Sequence, residues 1–207
     1  MQLETPIRRM HFIGIGGIGM SGLALVLREL GFEVQGSDLY PSAVTDMLTR
    51  HGIAVRLGHK PENLGQAQLV IYTSAVSQDN PELQEARRRG LPVKKRARLL
   101  GEIALRYPRR LAIAGTHGKT TTTAMVAGAL QQAGLDPTVF IGGLLKETGT
   151  NARLGQGEVV VLEADEYDRS FLELSPTAAL ITTLDADHLD VYGDLEGVQK
   201  AFEEFVN

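Results

Sequence analysis

The sequence contains no cysteine. A disulfide framework, a thiolate metal site and a cysteine nucleophile are therefore excluded, which fits the cytoplasm. No apolar run approaches the roughly 18 residues needed to cross a bilayer. The opening residues, Met1-Gln2-Leu3-Glu4-Thr5-Pro6, lack the charged-then-apolar pattern of a signal peptide. The expectation is a soluble cytoplasmic protein without membrane insertion. Long basic runs are missing too, and the net charge is −4. The densest clusters, Arg87-Arg88-Arg89 and Lys94-Lys95-Arg96-Ala97-Arg98, read as a solvated helix end plus a loop. The acidic total argues against a nucleic-acid partner. There is no solenoid-type repeat and no low-complexity segment.

Strand-like and helix-like segments alternate throughout, the pattern of an α/β fold with a mostly parallel sheet. Strands are expected over residues 10–15, 32–37, 68–73 and 91–94, and then 111–114, 138–141, 159–163 and 178–183. Helices are expected over 18–30 (with Leu23, Leu27 and Leu30 on one stripe), around Val44, Met47, Leu48 and His51, and over 81–89, 98–107, 119–133 and 195–206. Gly31, Gly52 and Gly90 stand as helix stops. A polar loop is expected over 148–157. Pro108 marks a domain boundary, giving domains 1–107 and 108–207. The second domain looks unfinished, so a fragment of a longer protein is expected.

Two glycine-rich loops carry the chemistry, about 100 residues apart, each between an apolar strand and a helix. In the first, Gly14, Gly16 and Gly19 match a dinucleotide fingerprint, with Gly17 between them and Asp38 about 20 residues on. Gly14 permits a tight turn, Gly16 lets the backbone approach a diphosphate, and Gly19 permits close helix–strand packing. Asp38 is placed to accept from a ribose hydroxyl. This pattern points to a nucleotide diphosphate, without separating NAD from a nucleotide sugar.

The second loop is Gly115-Thr116-His117-Gly118-Lys119-Thr120-Thr121-Thr122-Thr123. Its end fits the phosphate-loop pattern, but Ile113 stands where the usual first glycine would be, so it is a shortened variant. Backbone N–H groups can cradle phosphate, Lys119 can neutralise the β/γ oxygens, and the Thr120 hydroxyl can bind Mg²⁺. Two acidic clusters follow apolar runs: Glu163-Ala164-Asp165-Glu166, and Asp185-Ala186-Asp187-His188-Leu189-Asp190. Carboxylates at strand ends near such a loop are expected Mg²⁺ ligands, and His188 among them suggests a metal or phosphate role. His11 falls in a core strand, His51 at a helix end and His59 in a loop, while His117 is expected to face a ligand.

The loop 115–123, the segment Glu163-Ala164-Asp165-Glu166-Tyr167-Asp168-Arg169-Ser170-Phe171 and the segment Asp187-His188-Leu189-Asp190 resemble the Mur ligases of peptidoglycan synthesis. The amino-terminal stretch 11–21 and the loop Gly149-Thr150-Asn151-Ala152-Arg153 add to the likeness, which runs essentially end to end. One departure is Thr183, where the family often has asparagine. The resemblance implies a Rossmann-like UDP-binding domain followed by a partial P-loop ATPase-type α/β domain. A carboxyl-terminal domain that selects the amino acid would be missing. It also implies ATP and Mg²⁺ as cofactors, and UDP-N-acetylmuramate and L-alanine as substrates. Gly14, Gly16, Gly17, Gly19, Asp38, Ser74 and Ala75 would hold the UDP-sugar. Gly115, Thr116, His117, Gly118, Lys119, Thr120 and Thr121 would hold ATP. Lys119 would stabilise the transferring phosphate, Thr120 and Glu163 would share one Mg²⁺, and His188 would ligate a second. Other readings are a related ligase that attaches a recycled tripeptide, a silent UDP-sugar-binding module and, on the first loop alone, a NAD-dependent oxidoreductase. The isolated chain is expected to be inactive as a ligase.

Overall fold

The computed structural model describes residues 7–144 and 149–207. Two compact units are found, Met1–Leu99 and Leu100–Asn207. Sequence punctuation suggests a boundary near residue 108, and the contact division falls earlier, inside the helix Arg96–Ala104.

The first unit runs β1 (Arg9–Ile13), α1 (Ile18–Glu29), β2 (Glu33–Asp38), α2 (Ala43–Arg50), β3 (Ala54–Leu57), β4 (Leu69–Tyr72), α3 (Pro81–Arg88), β5 (Val93–Lys95) and α4 (Arg96–Ala104). Its sheet has the order β3-β2-β1-β4-β5 with every pairing parallel. That is the Rossmann order, and the strand order reverses between β1 and β4. Ligands in such sheets bind at the carboxyl ends of the strands flanking the reversal. The loops that leave β1 and β4 contain Gly14–Gly17 and Thr73–Val76 respectively.

Local sequence explains the elements. Ser42 and Thr45 form a reciprocal capping box at α2. Asn80 accepts from the amides of Glu82 and Leu83, and Pro81 takes the first turn of α3. Helix α1 is buried from Met20 to Leu27, so it packs on more than one stripe. Leu23 and Leu27 are buried as expected, whereas Leu30 is a cap residue with over a third of its surface exposed. Strand β3 was not expected, because Ala-Val-Arg-Leu lies on the sheet edge, mostly exposed, and carries no alternating apolar pattern.

The second unit continues with β6 (Arg109–Ala114), α5 (Lys119–Gln132), β7 (Thr138–Phe140), β8 (Ala152–Arg153), β9 (Val159–Glu163), β10 (Ala178–Ile181), α6 (Leu189–Tyr192) and α7 (Leu195–Val206). The sheet order is β10-β6-β9-β7-β8, parallel except for the short β7–β8 pair. Strand β8 arises inside the polar loop expected over 148–157; Thr148 itself lies outside the described residues. Helix α7 buries Val198, Ala201, Phe202 and Phe205. Phe171 has no exposed surface and packs on Phe202 and Phe205 at ring centroid distances of 5.0 and 4.8 Å. Each such ring contributes roughly 1.5–3 kcal/mol by leaving water. This cluster anchors the segment after β9, which carries the second acidic group of the site.

Candidate functional site

In the first unit a cavity of about 720 Å³ opens at the carboxyl ends of β1, β2 and β4. Gly14, Gly16, Gly17, Asp38, His59 and Ala75 line it, among others. Asp38 Oδ2 accepts from the Gly16 amide at 2.8 Å, so this carboxylate braces the glycine loop. Ser74 belongs to the turn after β4 but is not on the cavity wall, and neither is Gly19. Gly19 was expected to permit helix–strand packing. Instead, a Cβ there would meet Arg96, with Nη1 at 2.9 Å. The half-buried Arg96 guanidinium thus lies at the start of α1, next to the expected diphosphate position. This corrects the reading of residues 94–98 as merely solvated. The other basic cluster keeps that reading, since Arg88 and Arg89 pair with Glu85 on the surface of α3.

In the second unit the phosphate loop connects β6 to α5. Gly115 has φ +124°, and a Cβ there would collide with Thr182 Oγ1 and stand 2.9 Å from the Thr183 carbonyl oxygen. Only glycine fits such a backbone conformation so close to a neighbouring strand end. The loop is held from that side. Thr116 N donates to Thr183 O at 2.8 Å, and His117 N donates to Thr183 Oγ1 at 3.1 Å. Thr183, the departure from the family pattern, therefore supplies a polar brace of its own. The His117 ring is exposed, 3.8 Å from Asp185 Oδ2.

Lys119 Nζ donates to Gly115 O at 2.7 Å, to Thr116 O at 3.3 Å and to Glu166 Oε1 at 2.8 Å. An ammonium has three donors, and all are used here. Glu166 is 3% exposed, and its Oε2 is buried with no hydrogen-bond partner among the described residues. His188 Nε2 stands 3.9 Å from Glu166 Oε1, and Tyr167 meets the His188 ring edge-on at 5.3 Å. The Tyr192 hydroxyl donates to the Glu166 carbonyl oxygen. Burial, reinforced by the Glu166 charge, pushes the Tyr192 pKa up to about 12, so Tyr192 stays a neutral donor. Glu166 belongs to an acidic cluster visible in the sequence, but its contact with the loop lysine depends on the turn that follows β9.

Glu163 is placed differently. Its Oε1 accepts from Thr120 Oγ1 at 2.9 Å and its Oε2 from the Gly142 amide at 2.6 Å. The structure thus brings Thr120 and Glu163 together, and separately Lys119, Glu166 and His188. A hydroxyl beside a carboxylate suits Mg²⁺, which takes oxygen ligands and keeps several waters or phosphate oxygens. No group of three His, Cys, Asp or Glu that could hold a metal occurs among the described residues. Asp165 and Asp187 accept instead from the amides of Tyr167 and His188, which fixes local turns. Thr121 is a helical residue of the first turn of α5.

Comparison with known proteins matches this architecture. The family model "Mur ligase family, catalytic domain" matches residues 9–108, and "Mur ligase middle domain" matches 113–207. The UDP-N-acetylmuramate–L-alanine ligase of Aquifex aeolicus is 54% identical over 99% of this chain and 45% of its own length. A crystal structure of UDP-N-acetylmuramate–alanine ligase MurC from Thermotoga maritima superposes with TM-score 0.88 at 39% identity. It covers 95% of this chain and 46% of that one. That of UDP-N-acetylmuramate:L-alanyl-gamma-D-glutamyl-meso-diaminopimelate ligase from Neisseria meningitides gives TM-score 0.90 at 33% identity. There the shares are 97% and 68%. The chain spans about half the length of the curated relatives it matches. With both family models laid end to end over the two sheets and their glycine loops, the chain belongs to the Mur ligase family.

Proposed function

We propose that this chain carries the sugar-nucleotide and ATP sites of an ATP-dependent ligase that joins L-alanine to UDP-N-acetylmuramate. The observation that carries the reading is the pairing of two sites in one family chain. One is a Rossmann-type cavity with a diphosphate loop; the other is a phosphate loop with Thr120 hydrogen-bonded to Glu163. The L-alanine ligase is preferred over the tripeptide ligase on sequence: among the solved structures the identities are 39% against 33%, and the curated L-alanine ligase of Aquifex aeolicus reaches 54%.

In the first step a lactoyl carboxylate oxygen attacks the γ-phosphorus of ATP. The bond to the bridging oxygen breaks, giving ADP and an acyl phosphate. The amine of L-alanine then attacks the acyl carbon, loses a proton, and expels inorganic phosphate. Phosphorylation supplies the leaving group that a carboxylate lacks. The protein mainly positions charge. Residues 115–121 would cradle the triphosphate with backbone amides, and Lys119 would turn from Glu166 to the transferring phosphate. Thr120 and Glu163 would hold one Mg²⁺, and His188 a second. Mg²⁺ supplies neutralisation of phosphate charge. Gly14, Gly16, Gly17, Gly19 and Arg96 would surround the diphosphate, with Asp38, Ser74 and Ala75 toward the nucleoside. The amine donor would be held by sequence that the longer relatives carry. The reading takes the cytoplasm as the place of action; among the described residues no helix is long and apolar enough to cross a membrane.

Titration calorimetry of the 207-residue chain tests the first site. UDP-N-acetylmuramate is expected to bind more tightly than NAD; the reverse order overturns the assignment. The isolated chain is expected to bind both nucleotides and to release no phosphate in an L-alanine-dependent manner. Such release at an ordinary enzymatic rate would contradict this division of labour.

A further inference from the structure

One buried charged group has no part in either site as described above. Glu82, at the start of α3, has no exposed surface. His11 Nε2 donates to its Oε2 at 2.8 Å and Ser37 Oγ to the same oxygen at 2.6 Å. Asn63 Nδ2 donates to its Oε1 at 2.6 Å and the Lys60 amide at 3.1 Å. Burial by itself would raise the Glu82 pKa, but the hydrogen bonds from His11, Ser37 and Asn63 together outweigh it and hold the carboxyl below its ordinary value. An ionised carboxylate only accepts, so each neighbour gives it a hydrogen.

That requirement fixes the hydrogens further out. Ser37 has a single hydroxyl proton, and it is committed to Glu82. Ser37 Oγ also lies 3.0 Å from His59 Nδ1. With its proton used, the hydroxyl accepts there, and Nδ1 of His59 must carry the hydrogen. Glu82 Oε1 lies 3.7 Å from the same Nδ1, which again favours a proton on that nitrogen over a lone pair. In the neutral ring the lone pair then sits on Nε2, because the partner of one ring nitrogen sets the role of the other. The side chain of His59 is 12% exposed, and the residue lines the cavity of the first unit with Gly16 and Asp38. Only Nδ1 of the ring is engaged among the described residues.

We propose that His59 contacts the ligand in this cavity, offering Nε2 as an acceptor to a hydroxyl or N–H donor of the bound sugar nucleotide. Glu82 is the positioning residue that sets this tautomer through Ser37. The proposal rests on the assignment of the UDP-sugar to the cavity. A lone pair repels phosphate oxygens, so His59 reads the ribose hydroxyls or the uracil imide, and the glycine loop with Arg96 is left for the diphosphate. Asp38 Oδ2 is already engaged by the Gly16 amide, which makes a second acceptor on this wall useful.

The test uses the 207-residue chain labelled with ¹⁵N-histidine. Two-bond proton–nitrogen correlation at about pH 8.5, some two units above the ordinary imidazole value, reads the tautomer of each ring. His59 is expected as the Nδ1–H form, with its Nε2 resonance moving when UDP-N-acetylmuramate is added. His59→Phe keeps a ring and removes the acceptor. Its affinity by calorimetry is expected to fall about fivefold to tenfold, the size of one hydrogen bond. In Glu82→Gln the amide can donate toward Ser37, freeing the hydroxyl proton to turn toward His59. The expected result is an Nε2–H ring and a similar loss of affinity. Ser37→Ala serves as a second variant that breaks the relay without touching the buried acid. An Nε2–H ring in the wild type, or binding by His59→Phe within twofold of wild type, overturns the proposal. If the wild type itself fails to bind the UDP-sugar, the cavity assignment falls and the proposal with it, and that outcome shows in the wild-type titration alone.

Discussion

In the first unit the interior strand β4 is buried at Leu69, Val70 and Ile71, whereas in the second unit every residue of β10 is exposed. Both strands pair in parallel with the strand that leads into the glycine loop of their sheet, β1 in one case and β6 in the other. Parallel strands are ordinarily covered on both faces. Strand β4 meets that rule, with Val70 in a core cluster with Ile13, Leu64 and Leu83. Strand β10 does not, because it is the edge of its sheet, and Leu180 and Ile181 are 43% and 36% exposed. Nearby in sequence, Leu184, Leu189 and Leu195 are also at least 40% exposed. The units differ equally in how they treat charge. Among the described residues the first buries one acid, Glu82, under a full set of donors, one of which, Ser37, also accepts through its carbonyl oxygen from the Gly14 and Ile15 amides of the glycine loop. The second places its buried acid, Glu166, directly on the loop lysine and leaves one oxygen without a hydrogen-bond partner among the described residues. The two glycine loops thus rest on different supports: in the first unit a saturated polar network beside a closed core, in the second an ion pair on the loop lysine itself.

The comparison breaks most visibly at Lys119. In a longer protein carrying this region, Lys119→Ala is expected to slow acyl-phosphate formation by about 10²–10³. UDP-sugar affinity should be unchanged, and activity within twofold of wild type would refute the role. In the 207-residue chain the same change strands Glu166 and is expected to cost about 3 kcal/mol in urea unfolding of the second unit. Adding Glu166→Gln should recover much of that loss.

The acid limb of stability separates the units next. Glu82 has a folded-state pKa below its unfolded value of 4.5. Its contribution is therefore complete above about pH 4.5 and is lost as pH falls through the lower folded value. Glu82→Gln should flatten that part of the pH dependence in the first unit and lower its stability at neutral pH by about 1–3 kcal/mol. An unchanged acid limb in urea melts followed at probes in the first unit would show that Glu82 is not held as described.

Smaller effects sharpen the contrast. Arg96→Ala is expected to weaken UDP-sugar binding about tenfold, or about 1.4 kcal/mol, and to leave ATP binding alone. Equal affinity of variant and wild type in calorimetry would remove Arg96 from the diphosphate site. Leu180→Lys, on the exposed edge, should change the stability of the 207-residue chain by no more than about 0.5 kcal/mol. A large loss there would mean that β10 is covered after all.

Much of this was legible in the sequence, for physical reasons that also mark the limits. Strong apolar runs located β1, β4, β6 and β9, those of β1 and β6 ending at Gly14 and Gly115, and α7 came out with the bounds read from its pattern. Short elements without a periodic face, β3, β8 and α6, left no such signal. Helix α4 starts earlier than expected, at Arg96, and stops at Ala104, where Tyr107 turns to hydrogen-bond Thr138 at 2.9 Å. Loop residues 115–120 follow from motif spacing, and the pairing of Thr120 with Glu163 from the family resemblance. Glu166 on Lys119 does not, because it depends on the turn after β9, where Asp168 and Arg169 adopt φ values of 54° and 55°. Arg96 beside Gly19 and His59 on the cavity wall were equally hidden. Each reaches its site across the sheet from an element distant in sequence, and neither stands in a recognisable motif.

In the proposed function, sugar nucleotide and ATP occupy separate sites, one in each unit. The most direct measurement is calorimetry of the 207-residue chain with UDP-N-acetylmuramate and with a non-hydrolysable ATP analogue plus Mg²⁺, carried out on wild type, Gly16→Val and Gly115→Val. A side chain at Gly16 would stand 2.8 Å from Asp38 Oδ2, and one at Gly115 would collide with Thr182. A crossed result is expected: Gly16→Val loses the UDP-sugar and keeps the ATP analogue, and Gly115→Val does the reverse. Loss of both ligands in either variant while the fold persists, or of the same ligand in both, would contradict it.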